Sequence, residues 1–182
     1  MDSRSPTISA RTRYLTVLSI VFFSVALDWI TKRWAEANLQ GLPREPYLWD
    51  MVRIQYAENP GAFLGMGDEW SDLTRFLVFT AATSLFLIFV AWTTLRHTDI
   101  HRIELIAVSL IIGGGIGNLI DRIMREGGRV VDFMNLGIGS LRTGIFNVAD
   151  VALTLGVVLW IWPRKEKQSE KEEGQPSSPS TS

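Results

Sequence analysis

The sequence predicts a mainly α-helical membrane protein with four transmembrane helices, a small extracytoplasmic β-sheet and a short interfacial helix. Three observations support this fold class. The 182 residues are 47% hydrophobic and 20% charged, yet the charges are segregated, so several long apolar runs carry almost none. Each run is close to the length that a helix needs to cross a hydrocarbon core. Between the first two runs lies a segment in which polar and apolar residues mix.

The first apolar run follows a polar, arginine-containing N-terminus and predicts a transmembrane helix over about 14–32. Small residues at 24–26 also match the spacing of a cleavage site in a secretory signal peptide. A retained helix is favoured, because the apolar face continues beyond this point. Asp28 and Lys32 then fall four residues apart, which places them on one helix face.

Residues 33–75 have a different composition, with glycine, proline and seven acids between Glu36 and Asp72. Residues 52–56 alternate with period two, which predicts a short strand with one buried face. The Asn59–Gly61 sequence, Asn-Pro-Gly, then predicts a turn. We interpret the segment as a small sheet with a short helix, folded against the membrane surface.

Three further spans follow, at about 76–95, 103–122 and 145–163. The first of them is twenty residues without a charge, and at about 1.5 Å per residue it crosses a core of about 30 Å. After the last span the chain alternates lysine and glutamate and then becomes rich in serine and proline. We therefore expect one integral-membrane domain over 1–163 and a disordered tail over 164–182.

Orientation follows from the distribution of lysine and arginine. The N-terminus, the 96–102 connection and the 164–171 segment are basic, and with four spans all three lie on one side. The 36–72 segment has two arginines among its seven acids, although the 125–142 connection holds three arginines and reduces the contrast. The positive-inside rule places both termini in the cytoplasm.

Alternating span directions bring the unusual polar residues to one side of the membrane. They lie at the outer ends of the spans, and two more lie in the outer connections. In chain order they are Asp28, Lys32, Asn59, Asn118, Asp121, Arg122, Asp132, Asn147 and Asp150. Because ionisable groups are costly in or beside a membrane span, such a cluster predicts a functional site.

The inner parts of the spans argue against transport. Acidic and basic residues are absent from 14–27, 76–95, 105–117 and 151–163, whereas an ion pathway needs polar stations through the whole membrane. A site at one interface is what an enzyme with a membrane-embedded substrate requires. A non-catalytic four-helix interaction protein is the other alternative, and the converging acids argue against it.

The residue types present restrict the chemistry. The chain has no cysteine, which excludes thiolate metal sites and a cysteine nucleophile. His97 and His101 form a pair in a polar segment without a third ligand nearby, so we expect no metal. A serine–lysine pair is disfavoured, because Lys32 already has Asp28 as its natural partner.

Three acids then remain, Asp121, Asp132 and Asp150. Two close carboxylates do not both ionise readily, so one keeps its proton while the other deprotonates a water, as in aspartic proteases. Asp121 lies beside Arg122 and one turn after Asn118, which suits an ion-paired structural role. Asp132, predicted on a loop, and Asp150, at the start of an apolar helix, make the better dyad.

Each of these residues also has a purely structural interpretation. Asp150 suits the positive end of a helix dipole, and Asn147 suits a helix N-cap. Asp28 and Lys32 suit an ordinary ion pair, and Asn59 suits a turn. Taken together, these interpretations require an accidental convergence on one interface.

At these residues the sequence resembles signal peptidase II, the bacterial prolipoprotein signal peptidase, over about 14–163. Five sequence blocks in the right order carry the resemblance. They are Asp28 with Lys32, Asn59-Pro60-Gly61-Ala62, Gly113-Gly114 through Gly117-Asn118 to Asp121-Arg122, Val130-Val131-Asp132-Phe133, and Phe146-Asn147-Val148-Ala149-Asp150. Two departures are the Phe63–Leu64 pair after the second block, and Gly115 where alanine is commoner.

The resemblance implies an aspartic endopeptidase with its dyad at Asp132 and Asp150. It also implies that Asn118, Arg122 and Asn147 contact the substrate or the dyad. Asn59 and Gly61 would line the entrance, and Asp28, Lys32 and Asp121 would support the site. The implied reaction removes the signal peptide of a diacylglyceryl-modified prolipoprotein just before its lipid-bearing cysteine, in the bacterial inner membrane. We expect a monomer among membrane lipids, with no cofactor and no nucleic-acid partner.

Overall fold

The computed structural model describes residues 8–61, 67, 69–96 and 100–162. In chain order its elements are helix α1 (Ala10–Leu39), strands β1 (Glu45–Tyr47) and β2 (Val52–Asn59), helix α2 (Asp72–Arg96), helix α3 (Arg102–Met124), a 3₁₀ turn (Glu126–Gly128), strands β3 (Val130–Ile138) and β4 (Leu141–Arg142), and helix α4 (Val148–Ile161). The strands form one antiparallel sheet in the order β1-β2-β3-β4. The short interfacial helix was predicted within 33–75 without bounds, and residues 62–66 and 68 of that segment lie outside the described residues. The tail predicted over 164–182 also lies outside them.

Three helices, α1, α2 and α3, are long and apolar enough to cross a membrane. Helix α4 is apolar but has 14 residues, about 21 Å of helix against a core of about 30 Å. Its C-terminal end carries exposed Trp160 and Trp162, a residue type enriched at membrane interfaces. Helix α4 by itself is therefore shorter than the hydrocarbon core.

Helix α4 begins at Val148, three residues after the start of the predicted span. The reason is that Phe146 is still paired with the sheet, as an antiparallel bridge partner of Met134. Asn147 then caps the helix, its side chain accepting a hydrogen bond from the backbone N–H of Asp150. The sheet and the helix therefore meet within two residues, and the candidate dyad lies at this junction.

The sheet contains the segment that the sequence analysis placed in a loop. Strand β2 confirms the strand predicted over 52–56 and extends it to Asn59. Asp132, however, lies on β3, paired with Ala57 of β2. The prediction of a loop was wrong because residues 130–133 are buried in succession, so the strand shows no alternation of polar and apolar residues.

The end of α1 holds the sheet against the helices. With 30 residues α1 is about 45 Å long, which exceeds the hydrocarbon core. Ala35 and Leu39 near its end pack with Val131 and Phe133 of β3 in one buried cluster. Each large apolar side chain buried in this way contributes about 1.5–3 kcal/mol. The packing fixes β3, and with it Asp132, relative to the bundle.

Glycines of α3 bring three helices into close contact. A Cβ on Gly114 would lie 2.4 Å from the carbonyl oxygen of Ala149 in α4, and a Cβ on Gly117 would lie 2.7 Å from Oδ2 of Asp28 in α1. Such distances are possible only without a side chain, so α3 fits directly against the polar residues of α1 and the first turn of α4. This is the close approach that small residues permit between membrane helices.

Helix α2 packs differently from the other helices. Its buried residues are Thr80, Leu87 and Thr94, and its N-terminal part includes a π-helical segment over Phe76–Ala82. Ser84 donates a hydrogen bond of 2.6 Å to the carbonyl oxygen of Thr80 in this segment. π-Helical segments are rare and are frequent at functional sites.

Candidate active site

Asp132 and Asp150 are joined through a single residue, Asn147, whose side chain is fully buried. Its Nδ2 lies 2.7 Å from Oδ1 of Asp132, and its backbone N–H donates to Oδ2 of Asp150 over 3.1 Å. The second contact is half of a capping box, since the Asn147 side chain accepts from the Asp150 backbone in return. The helix cap and the strand therefore hold the two carboxylates at one place.

Two further amides complete the hydrogen bonding of the carboxylates. Asn118 donates to Oδ1 of Asp150 over 2.8 Å, and Asn59 donates to Oδ2 of Asp132 over 3.0 Å. The side-chain oxygen of Asn59 accepts from the backbone N–H of Gly61 at 3.0 Å, which fixes the orientation of its amide. Each oxygen of both acids thus receives a hydrogen bond from an asparagine.

Burial is the main cause of an unusual pKa at Asp132. It raises the pKa of this carboxyl from 3.8 to about 7, and the nearby charge of Asp150 adds to the rise. The hydrogen bonds from Asn59 and Asn147 act in the opposite direction. A carboxyl with a pKa near neutrality can keep its proton close to neutral pH, and aspartic proteases use one protonated acid of a pair in this way.

Behind the carboxylates lies a buried ionic cluster centred on Lys32. Its Nζ is 2.8 Å from Oδ2 of Asp28, 3.0 Å from Oδ2 of Asp121 and 3.0 Å from Oδ1 of Asn118. The contact with Asn118 orients that amide, because its oxygen faces the ammonium while its nitrogen faces Asp150. Lys32 thus links the cluster to the dyad.

The two acids of this cluster hold the backbone next to the dyad. Oδ1 of Asp28 accepts from the N–H of Ala149 at 2.9 Å, and Oδ2 of Asp121 accepts from the N–H of Val131 at 3.1 Å. Ala149 precedes Asp150 and Val131 precedes Asp132. The backbone N–H just before each dyad residue is therefore held by a hydrogen bond to a buried carboxylate. We describe Asp28, Lys32 and Asp121 together as the ionic support.

The ionic support continues to the surface through two residues that the sequence analysis did not select. Nε of Arg125 donates to Oδ1 of Asp121 at 3.0 Å, and its Nη1 donates to Oε1 of Glu36 at 2.9 Å. Burial opposes the charge of Arg125, but these bonds to Glu36 and Asp121 raise its pKa above the ordinary value. The two residues are 89 positions apart, so no local spacing pattern could reveal their contact.

Arg122 connects the site to its entrance. Its guanidinium donates to the carbonyl oxygen of Gly61, and to that of Gly128 at 3.1 Å. The charged group also lies over the ring of Phe79, 4.9 Å from its centroid, which is within the range of a cation–π contact. Arg122 therefore holds the Asn59–Gly61 turn, the 3₁₀ turn and α2 together around the cavity.

A cavity of about 310 Å³ opens beside the dyad. One side, which we call the polar wall, consists of Asn59, Asn118, Arg122, Asp132 and Asp150. The part of the lining that comes from α2, which we call the α2 wall, consists of Phe79, Thr83, Phe86 and Leu87. The volume lies at the lower end of the range of about 300–1,000 Å³ for ligand sites, and the mixture of polar and apolar sides suits a peptide with apolar side chains.

The structure brings the residues predicted from the sequence into one connected site, although they occupy different positions in it. Asp132, Asp150, Asn59, Asn118 and Arg122 line the cavity. Asn147 lies beneath the two acids, Asp28, Lys32 and Asp121 form the support behind them, and Gly61 takes part through its backbone. Phe63 and Leu64, the predicted departures at the entrance, lie outside the described residues, as does His97.

Comparison with known proteins gives consistent matches. Residues 20–163 match the family described as signal peptidase (SPase) II. The lipoprotein signal peptidase of Polynucleobacter necessarius is 36% identical over 159 residues, which cover 85% of this chain and 90% of the relative. That of Desulforapulum autotrophicum is 32% identical over 152 residues, covering 83% and 93%.

A solved structure of a bacterial membrane enzyme shares the fold. It superimposes with a TM-score of 0.68 at 29% identity, over 79% of this chain and 84% of the other. The family match covers most of the chain, and the similar relatives are aligned over nearly their whole length. The chain is therefore a membrane peptidase that belongs to the signal peptidase II family.

Proposed function

We propose that Asp132 and Asp150 are the catalytic dyad of an aspartic endopeptidase that removes the signal peptide from diacylglyceryl-modified prolipoproteins. Cleavage falls just before the lipid-modified cysteine. The observation that carries the proposal is the pair of carboxylates bridged by Asn147 at the edge of one cavity. Related proteins are named lipoprotein signal peptidases, which agrees with this substrate class.

The reaction uses one ionised and one protonated acid. Asp132, whose pKa lies near 7, keeps its proton and donates a hydrogen bond to the scissile carbonyl oxygen. Asp150 takes a proton from water, and the oxygen attacks the carbonyl carbon to give a tetrahedral intermediate. The C–N bond then breaks, and the proton on Asp150 passes to the leaving amine of the cysteine. Because water is the nucleophile, the reaction needs no cofactor.

The amide groups around the dyad position the substrate. Asn118 has a second N–H on the nitrogen that already donates to Asp150, and it lines the cavity together with Asn59. Arg122 uses its fork for the carbonyls of Gly61 and Gly128. Its remaining donors serve substrate carbonyls, and the turn at Gly61 that it holds forms the entrance.

The membrane setting suits this substrate. A signal peptide and a diacylglyceryl group both reside in the bilayer, and the dyad lies at the junction of β3 with the apolar helix α4. We place the enzyme in the bacterial inner membrane as a monomer among lipids, with both termini cytoplasmic and no nucleic-acid partner. Its peptidase domain spans 1–163, and 164–182 form a tail outside that domain.

Cleavage of a lipidated precursor by the purified protein tests the proposal. We expect the diacylglyceryl precursor to be cut in detergent or lipid, with the modified cysteine as the new N-terminus in mass spectrometry. The same precursor without the lipid is the control and should remain uncut. A lipidated precursor that stays intact, under conditions where the protein is folded, contradicts the proposed function.

A further inference from the structure

The cavity continues past the dyad toward the inner side of the membrane. Gly115 lies seven residues before Arg122 on α3, so it is about 10 Å further inward along the helix. Leu153 lies one turn further inward than Asp150 on α4. The inner end of the cavity is lined by apolar residues, which are Leu87, Ile111, Gly115 and Leu153.

One contact limits the width of this inner end. Leu87 of α2 is buried, and its side chain lies directly against Gly115 of α3. A Cβ on Gly115 would lie 2.7 Å from Cδ2 and 2.8 Å from Cδ1 of Leu87, well inside van der Waals contact. A methyl group at position 115 must therefore move the end of Leu87 or move α2, and both residues line the cavity.

We infer that the inner end of the cavity is a subsite for one aliphatic group of the substrate, and that Gly115 and Leu87 set the size of the group it accepts. The inference rests on the proposed function, and it assigns a specificity role to two residues outside the dyad and its amides. The cavity of about 310 Å³ is much smaller than a complete diacylglyceryl lipid, so only one part of the substrate can fill its inner end.

Two parts of the substrate supply such a group. In the proposed reaction the signal peptide continues inward from the scissile bond, so an apolar side chain before that bond points toward Leu87 and Gly115. The first segment of an acyl chain on the modified cysteine has the same aliphatic chemistry. Selectivity measured separately for each part shows which of them enters the subsite.

The test compares kcat/KM for two series of precursors. The first series carries Ala, Val, Leu or Phe in turn at each of the three positions before the scissile bond. The second keeps the peptide and grades the acyl chain length of the diacylglyceryl group. In the series whose varied group enters the subsite, Gly115→Ala should reduce cleavage of the larger members relative to the smaller ones by about 10- to 200-fold. This is the usual range for a methylene that no longer fits an apolar pocket.

Changes at Leu87 should act in the opposite direction. Leu87→Ala widens the subsite and should shift the preference in the same series toward larger groups. The double variant Gly115→Ala/Leu87→Ala should return toward the wild-type preference, because the space lost at one position is regained at the other. This reciprocal compensation distinguishes a size-limited subsite from general damage to α2.

Gly113→Ala is the matched control, because it adds the same methyl to the same helix away from the cavity. A Cβ there would lie 2.7 Å from Cβ of Ser24 in α1. It should change thermal stability but leave the size preference of both series unaltered. If Gly115→Ala lowers cleavage equally for all members of both series, or changes none, the subsite is disproved while the peptidase remains. If the wild type cuts no lipidated precursor, the proposed function and the subsite both fail.

Discussion

The two walls of the cavity are held by different forces. The polar wall belongs to helices α3 and α4 and strands β2 and β3, which are tied by charged and amide hydrogen bonds. Half of the most apolar stretch of α3 is buried. The α2 wall belongs to a helix that is mostly exposed, with 11% of its most apolar stretch buried. This helix lines the cavity with Phe79, Thr83, Phe86 and Leu87. One wall is fixed by directional bonds, and the other is placed by packing.

This difference separates two requirements of the proposed reaction. Catalytic groups need to be held within small tolerances, which is achieved by residues whose own orientation is fixed by further hydrogen bonds. A wall that meets side chains of different sizes needs apolar surface and freedom to adjust. We therefore expect changes in the polar wall to remove catalysis, and changes in the α2 wall to alter which substrates are accepted.

The largest effect is expected from the dyad. Asp132→Asn and Asp150→Asn keep the shape of the side chain but cannot carry the proton transfers, and general acid–base groups contribute about 10²–10⁴-fold each. Cleavage of the lipidated precursor should fall by at least about 10³-fold, with little change in thermal stability. Asp72→Asn is the control, because Asp72 is exposed at the start of α2. Near wild-type cleavage by either dyad variant would move the assignment to Asp121.

Lys32→Met should give the largest loss of stability. The side chain of Lys32 is 3% exposed and contacts both Asp28 and Asp121, so its removal takes away the cation beside buried Asp28 and leaves Asp121 with Arg125 alone as its charged partner. Breaking a buried ion pair in this way costs about 3–5 kcal/mol. Arg33→Met is the control, because Arg33 is the neighbouring residue but its side chain is exposed. It should lower the free energy of unfolding by less than about 1 kcal/mol. Thermal unfolding in detergent compares the two; equal losses would show that the ionic support is not structural.

Sequence alone predicted which polar residues meet, because the direction of alternating spans fixes which span ends share a side. It also predicted the strand at 52–56 from its alternation. It missed β3, since a strand buried on both faces shows only an apolar run interrupted by Asp132. It missed Glu36 and Arg125, because surface charges are common and a contact between distant positions leaves no local pattern.

The structural interpretations of single residues were also correct, without excluding the site. Asn147 caps α4 and Asp28 pairs with Lys32, and Asn59 accepts from Gly61 in a turn. Each of the three also makes a second contact, with Asp132 or with the backbone beside Asp150. A pattern in the sequence identifies the first contact. The second depends on packing between distant elements, which sequence patterns do not encode.

Arg122→Lys is expected to have an intermediate effect. Lysine keeps the charge but loses the planar fork, so it lacks the two separate nitrogens that reach the carbonyls of Gly61 and Gly128. The loss of one charge-assisted hydrogen bond costs about 1.5–3 kcal/mol, or roughly 10- to 100-fold in kcat/KM. Arg129→Lys, at a half-exposed arginine, is the control. Normal turnover by Arg122→Lys would show that the charge alone is sufficient.

The pH dependence should follow the proton on Asp132. Activity needs this acid protonated, so kcat/KM should fall on the alkaline side with an apparent pKa of the dyad near 7, about tenfold per pH unit. The raised pKa also has a stability consequence. The contribution of this group is complete below its ordinary pKa of 3.8 and is lost as the pH rises through about 7. The free energy of unfolding should therefore differ less between pH 5 and pH 8 in Asp132→Asn than in the wild type. If the difference is unchanged, other groups cause the pH dependence of stability.

The smallest effect is expected at the surface end of the ionic support, where the hydrogen-bonded network meets water. The side chains of Arg125 and Glu36 are 19% and 27% exposed, so solvent and salt weaken their attraction, and exposed pairs contribute about 0.2–1 kcal/mol. A double-mutant cycle with Glu36→Gln and Arg125→Gln isolates this coupling from the bond between Arg125 and Asp121.

We expect the coupling to lie in that range and to diminish at 1 M salt, where the screening length is about 3 Å. Cleavage should change by no more than about fivefold for Glu36→Gln. Arg125→Gln should cost more than Glu36→Gln, because it also removes the donor to Oδ1 of Asp121, whose other oxygen holds the amide before Asp132. A coupling as large as the stability loss in Lys32→Met would mean that the rigid region around the polar wall extends to the surface.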